Sequence, residues 1–310
     1  MKIIIDTDPG TDDAVAILLA LANFNDNEIL GITTVSGNVP VERGTHNALR
    51  ILSLAGRNSI EVYEGCSQPL ERELVTAEWV HGNDGLAGLD FPEPDKEKSD
   101  THAVDFIGSV IMESKEKVTI GVLGPMTNIA KSLIEYPDIV KNIEKIVFMG
   151  GSAIGGNTTP VAEFNIFVDP QAAKIVLDSG VPLAMMGLGV TQQALASEER
   201  MERLKELDTK TALLFNGLMT SLNHIPLVKE KFPNGTPVHD AFVTAYLINP
   251  DLIEGIQVNV DVETSSELTM GQTVVDTLGI SGKKQNVLWM NNVDSDELFK
   301  LIIKSASLLP

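Results

Sequence analysis

The chain has 310 residues, 43% of them hydrophobic and 21% charged, which is enough to bury a substantial core and excludes extended disorder. Its 43 acidic residues outnumber 23 basic ones, for a formal charge of −20. A surface that negative repels phosphate backbones and anionic lipid, so no nucleic-acid or membrane partner is expected, and a neutral or cationic small molecule or a metal ion fits better.

Short apolar runs rich in β-branched residues alternate with segments of helical period. The strands predicted first lie at 2–5, 28–35, 60–63, 118–123, 145–149 and 181–186, with helices at 12–23, 41–55, 101–114, 126–135 and 170–179 between them. Nearly continuous apolar strands separated by helices predict an α/β fold, an open, mainly parallel, Rossmann-like sheet with helices on both faces. Beyond residue 190 the pattern is more helical to about 248, then returns to strands near 256–263, 273–280 and 287–291. Ser281-Gly282 reads as a hairpin turn, and a last helix spans about 294–307 with Asp294 or Ser295 as its cap. The polar stretch from Asp90 to Asp100 reads as a surface loop, so residues 1–310 are expected to form one domain. Cys66 is the single cysteine, which excludes an internal disulfide framework and a thiolate metal cluster. Ile3-Ile4-Ile5 is too short for a secretory or spanning segment, and no later apolar run reaches ~18 residues, so a cytoplasmic protein is expected.

The stretch Asp6-Thr7-Asp8-Pro9-Gly10-Thr11-Asp12-Asp13 carries the most chemistry. It follows a buried strand and precedes an apolar helix, and ligands of open α/β sheets bind beyond the carboxyl ends of strands. Pro9-Gly10 predicts a tight turn and Thr11 a helix cap, with Asp12 and Asp13 in the first turn, where the helix dipole favours negative charge. Helix-start and turn roles would explain two aspartates. All four carboxylates so close together cannot stay ionised without a cation or raised pKa values, and a hard divalent ion with oxygen ligands answers that. A phosphatase pattern Asp-x-Asp-x-Thr/Val fails on spacing, because Gly10 stands where Thr or Val is required.

With these residues in place, the chain strongly resembles the inosine-uridine nucleoside hydrolase family, whose fingerprint is Asp-x-Asp-Pro-Gly-x-Asp-Asp-Ala. Further matching segments follow in order: Gly37-Asn38, His81-Gly82-Asn83-Asp84-Gly85-Leu86, Leu123-Gly124-Pro125-Met126-Thr127-Asn128 and Met149-Gly150-Gly151. Then come Gly156-Asn157, Ala162-Glu163-Phe164-Asn165, Asp169-Pro170, Val238-His239-Asp240-Ala241 and Thr269-Met270-Gly271-Gln272-Thr273-Val274. The resemblance implies hydrolysis of the N-glycosidic bond of ribonucleosides to ribose and free base, in nucleoside salvage, with a tightly held Ca²⁺. It implies Asp8, Asp13 and Asp240 as carboxylate ligands of calcium, Leu123 as a ligand through its carbonyl, and Asp8 as general base. A homodimer or homotetramer is the assembly it implies.

Cleaving a ribosidic bond builds positive charge on the sugar and negative charge on the departing base. By the same resemblance, Asp12, Asn38, Asn157, Glu163 and Asn165 would hold the ribose hydroxyls, which implies discrimination against 2′-deoxynucleosides. His239 and His81 would stand on the nucleobase side, His239 as acid and His81 as contact or relay. Met149 and Phe164 fit contact with ribose or base and equally fit core packing. Asp6 reads as a structural carboxylate at the strand end. His224 lies in the segment that carries substrate-covering residues in the family. Some members place paired tyrosines there, and this chain has none between 137 and 245, which leaves base preference and the identity of the acid open. A hydrolase of a related riboside, or a catalytically weak nucleoside-binding protein that kept the calcium site, remain as alternatives.

Overall fold

A strand covered by helices on both sides must be apolar on both sides, and the central strands are. In the computed structural model, which describes residues 1–310 apart from the side chain of His224, β1 (Lys2–Thr7) buries Ile3, Ile4 and Ile5. The question of what His224 does therefore lies outside the described residues. β2 (Ile29–Thr34), β3 (Val62–Glu64), β4 (Val118–Val122), β5 (Ile143–Met149) and β6 (Leu183–Met186) follow. After β7 (Leu195–Ala196) and β8 (Thr236–Pro237), which pair only with each other, come β9 (Ile253–Val262), β10 (Thr273–Asp276) and β11 (Val287–Val293). The 9-stranded sheet runs β10-β9-β11-β6-β5-β4-β1-β2-β3. It is parallel from β3 through β11, and β9 is antiparallel to both β11 and β10.

Alternate residues of β1 face different cores. Ile3 and Ile5 pack with the helices Thr11–Asn23, Val41–Leu54, Lys210–Thr220, Ala241–Ile248 and Ser295–Ala306. Ile4 packs on the opposite face with the helices Ala103–Glu113, Thr127–Glu135 and Pro170–Asp178. The expected open α/β sheet with helices on both faces is thus the observed architecture. β1 lies between β2 and β4, so the chain leaves it in one direction and returns on its other side. That crossover opens a crevice at the carboxyl ends of β1, β2 and β4, where α/β sheets place ligands.

Two local expectations are overturned. Ser281-Gly282 does not close a hairpin, because β9 lies between β10 and β11 and pairs with both. The strand stops at Asp276, whose carboxylate accepts from the Ile280 and Ser281 N–H groups at 2.9 and 2.7 Å and turns the chain away. Thr11 is the first helical residue and not the cap. Gly10 holds the cap position, and its N–H donates to the Asp13 carboxylate at 3.0 Å. The last helix, Ser295–Ala306, is capped by Asp294, which accepts from the Glu297 N–H at 3.1 Å.

The helix Thr11–Asn23 carries Asp12 and Asp13 and is buried along almost its whole length. Ile17, fully buried there, anchors it to the core. Ile17→Ala should cost ~2–5 kcal/mol. A chemical-denaturation midpoint equal to that of the parent would contradict this packing account.

Candidate active site and cation site

Most residues of the candidate site stand at or just past the carboxyl end of a sheet strand or at a helix start, while His81 ends the short helix Glu78–His81 and Asn157 lies in a loop. Asp8 follows β1, Asn38 follows β2, Leu123 follows β4, and Met149 closes β5. Asp240 occupies the cap position of the helix Ala241–Ile248. Chain segments far apart in sequence converge here because a parallel sheet brings all these strand ends to one edge.

Asp13 organises the centre. Its Oδ1 accepts from the Thr7 hydroxyl at 2.6 Å and the Asp8 N–H at 3.2 Å, and its Oδ2 from the Gly10 N–H at 3.0 Å and Asn38 Nδ2 at 2.9 Å. The strand end, the turn and the loop after β2 are therefore tied to one carboxylate. Asp8 is fully buried, and its Oδ2 accepts from the Asn38 N–H at 2.6 Å. Its Oδ1 is buried without a partner. Gly37 and Gly124 enclose this carboxylate so closely that a Cβ on either would overlap it. Glycine is required there by space alone, with an ordinary φ.

Oxygens of Asp12, Asp13 and Asp240 lie within 4.8 Å of one another, a spacing that suits a shared cation. Asp12, read from the sequence as a ribose contact, thus joins the carboxylate group, while Asp8 stands beside it. Burial first, and the Asp13 charge second, push Asp8 well above and Asp12 to about 7. Asp240 is pushed well above the usual carboxylate range by burial and by Asp12, Asp13 and Asp8. The residues fit a hard divalent ion: the donors are carboxylates, one buried oxygen of Asp8 is unsatisfied, and the repulsion needs a positive charge. The Leu123 carbonyl reaches the same region, where it accepts from Asn165 Nδ2 at 2.7 Å.

Glu163, whose charge acts on Asp12 and Asp240, is buried and caps the short helix Phe164–Val168. It accepts from the N–H groups of Gly151 at 2.9 Å, Asn165 at 3.0 Å and Ile166 at 3.2 Å. Burial still pushes it up to about 7. Asn165 Nδ2 also donates to the Met149 carbonyl at 3.1 Å, and Asn157 Oδ1 accepts from the Phe164 N–H at 3.0 Å. Asn157 is exposed, Phe164 half-buried and Met149 buried. Asp6 lies below, accepting from the Thr33 hydroxyl at 2.6 Å and Asn128 Nδ2 at 2.8 Å.

His81 Nδ1 meets the Thr11 N–H at 3.2 Å and the Thr11 hydroxyl at 2.9 Å, and His239 Nδ1 meets the Thr191 hydroxyl at 2.7 Å. Burial pushes both imidazoles down to about 4, and for His239 the neighbouring His81 adds to the effect. Both rings are neutral near pH 7. Sequence names Thr7, Gly37 and Gly124 only within motifs and assigns them no role, and it does not name Thr191. Gly37 and Gly124 each follow a strand end, which is the available signal for them, and Thr191 carries no such signal. A cavity of about 690 Å³ opens at the opposite edge of the sheet, beside Lys145, Pro182 and Tyr246, and contains none of the site groups.

Residues 3–300 match the model of the inosine-uridine preferring nucleoside hydrolase family. A pyrimidine-specific ribonucleoside hydrolase RihA of Shewanella sp. (strain MR-4) is 41% identical over 307 residues, covering 98% of this chain and 95% of that protein. Among solved structures, a purine-preferring ribonucleoside hydrolase from Gardnerella vaginalis superposes with a TM-score of 0.90 at 31% identity, covering 99% of this chain and 98% of that one. The plant nucleoside hydrolase PpNRh1 also gives 0.90, at 30% identity and with the same coverage of 99% and 98%.

The crowded carboxylates make stability depend on pH and on cations together. Protonated Asp6, Asp12 and Glu163, each raised to about 7, favour the folded state, and that contribution is lost as pH rises through about 7. The contribution of neutral His81 and His239 is full above their ordinary 6.5 and is lost only as pH falls towards about 4. Cation-free protein should therefore melt at a lower temperature at pH 8 than at pH 6, and calcium should raise the melting temperature more at pH 8. A calcium effect that is larger at pH 6, or absent, would contradict the assignment.

Proposed function

Because the chain belongs to the inosine-uridine preferring nucleoside hydrolase family, and is by that membership an N-glycosyl hydrolase of ribonucleosides, we propose that it is calcium-dependent and acts first on pyrimidine ribonucleosides. The observation that carries the calcium reading is the unpartnered, buried Oδ1 of Asp8 beside the carboxylates of Asp12, Asp13 and Asp240. The pyrimidine preference rests on the relative named pyrimidine-specific, at 41% identity, against 31% for the solved purine-preferring enzyme. A salvage role, a cytoplasmic setting, one catalytic domain over residues 1–310, and a homodimer or homotetramer complete the reading. Family resemblance supports these, and no helix among the described residues is long and apolar enough to cross a membrane.

Asp8, Asp13, Asp240 and the Leu123 carbonyl, with Asp12 close by, would hold the ion. Bound Ca²⁺ supplies the charge that keeps these carboxylates ionised and offers coordination to ribose hydroxyls. Asp8 Oδ1, with no protein partner, accepts a proton from the attacking water. The water oxygen bonds to the anomeric carbon as the bond to the base breaks, and that bond's electron pair leaves with the base. Asn38 and Asn165 each have the side-chain amide nitrogen committed to protein, which leaves their Oδ1 to accept from a ribose hydroxyl. Asn157 is the reverse: its Oδ1 is held by Phe164 and its Nδ2 is left to donate. Neutral His81 and His239 offer N–H groups to the base as negative charge builds on it.

Release of reducing sugar from uridine, cytidine, inosine and adenosine, with calcium and after its removal by chelation, tests this reading. Turnover should require calcium and be fastest on uridine or cytidine. In the same assay Asp8→Asn should lower kcat by ~10²–10⁴-fold. Undiminished turnover after chelation would overturn the calcium reading, and turnover fastest on purines would overturn the pyrimidine preference. No turnover on all four would point to a related riboside as substrate.

A further inference from the structure

Thr191 ends the short buried helix Leu188–Thr191 that follows β6, and nothing in the proposed chemistry uses it. Its hydroxyl lies 2.7 Å from His239 Nδ1 and has no other partner among the described residues. The direction of this hydrogen bond follows from what the alternative would cost. If Thr191 accepted from an Nδ1–H, its own proton would be left without an acceptor in a buried position, a penalty of roughly 1–3 kcal/mol. Donation from the hydroxyl to Nδ1 satisfies both groups. The neutral ring then carries its proton on Nε2.

His81 shows the same arrangement with no ambiguity. A backbone N–H can only donate, so the Thr11 N–H fixes His81 Nδ1 as an acceptor and places the proton on Nε2. Neither ring's Nε2 bonds to a described residue, and neither is among the buried unpartnered atoms, so both keep some exposure to solvent. Two Nε2–H donors on adjacent imidazoles are what a departing base with growing negative charge requires. The segment carrying Thr191 is itself fixed to the ribose side. The Leu188 N–H donates to the Gly151 carbonyl at 3.0 Å, and the Gly151 N–H donates to Glu163.

We propose that Thr191 is a positioning residue for leaving-group departure: its hydroxyl donates to Nδ1 of His239 and so holds that ring as the Nε2–H donor. The inference rests on the hydrolase reading and adds to it a residue that touches neither substrate nor ion. Removing the hydroxyl frees the ring to flip or to change tautomer, which weakens donation to the base and leaves the ribose contacts intact.

Thr191→Val and Thr191→Ser, assayed on uridine and on p-nitrophenyl riboside, test it. Departure of p-nitrophenolate needs no donor. Thr191→Val should lower kcat on uridine by ~10–100-fold with KM nearly unchanged, and should leave p-nitrophenyl riboside turnover within about threefold. Thr191→Ser should restore uridine turnover. Equal losses on both substrates, no loss on uridine, or no rescue by serine would overturn the role. Turnover of p-nitrophenyl riboside also reports that the variant is folded. Should Thr191→Val not fold, ¹⁵N-histidine spectra of the wild-type protein near pH 7 decide the matter, with His239 assigned by its absence in His239→Gln. A protonated Nε2 on His239 is expected, and a protonated Nδ1 would overturn the proposal. Wild-type protein inactive on both substrates would overturn the hydrolase reading and this role with it, whereas an active wild type with an unaffected Thr191→Val would remove only the role.

Discussion

Asp8, Asp12, Asp13 and Asp240 meet where β1 ends and the helix Ala241–Ile248 begins, and their repulsion in a place with little water is the constraint to which the rest of the site answers. Asp13 is relieved within the protein, by two backbone N–H groups, a threonine hydroxyl and an asparagine amide. Asp8 is relieved on one oxygen only. Asp12 and Asp240 receive no side-chain partner of their own among the described residues. The protein thus fixes one carboxylate rigidly and leaves the others short of positive charge. That asymmetry is what a cation site would need and a merely acidic surface, where solvent would share the load, would not.

The same constraint explains the glycines. Gly37 and Gly124 press their backbones against the Asp8 carboxylate from two sides, so it cannot swing away from its neighbours. The imidazoles of His81 and His239 beside them are treated differently. Burial holds them neutral, and a threonine at each Nδ1 fixes the face they present. The fold therefore sets neutral imidazoles beside a crowded carboxylate cluster, and the proposed roles of the two would supply the polarity that heterolysis of a ribosidic bond calls for.

Much of this was legible before any coordinates. Ile3-Ile4-Ile5, with no alternation of polarity, could only be a strand covered on both faces, and the Asp-x-Asp-Pro-Gly run beyond it marked the strand's functional end. Order along the chain was enough to place Asn38, Leu123 and Met149 at neighbouring strand ends, since parallel strands all finish on one edge. Pairing among the last strands was not legible. Strands 273–280 and 287–291 are consecutive in sequence, and nothing local shows that β9 lies between them or that Asp276 ends the first one. The Thr11 cap was misread because Asp13 satisfies the Gly10 N–H from three residues ahead, leaving the threonine free to meet His81. Thr191 was invisible for a related reason: its meaning lies in a contact 48 residues away.

Calorimetric titration of calcium into chelator-treated protein, wild type beside Asp240→Asn, tests the central claim most directly. The carboxylate account expects about one ion per chain in the wild type, with affinity largely lost in the variant while its fold persists by circular dichroism. Equal affinity in both proteins, or no binding by a folded wild type that hydrolyses nucleosides, would contradict it.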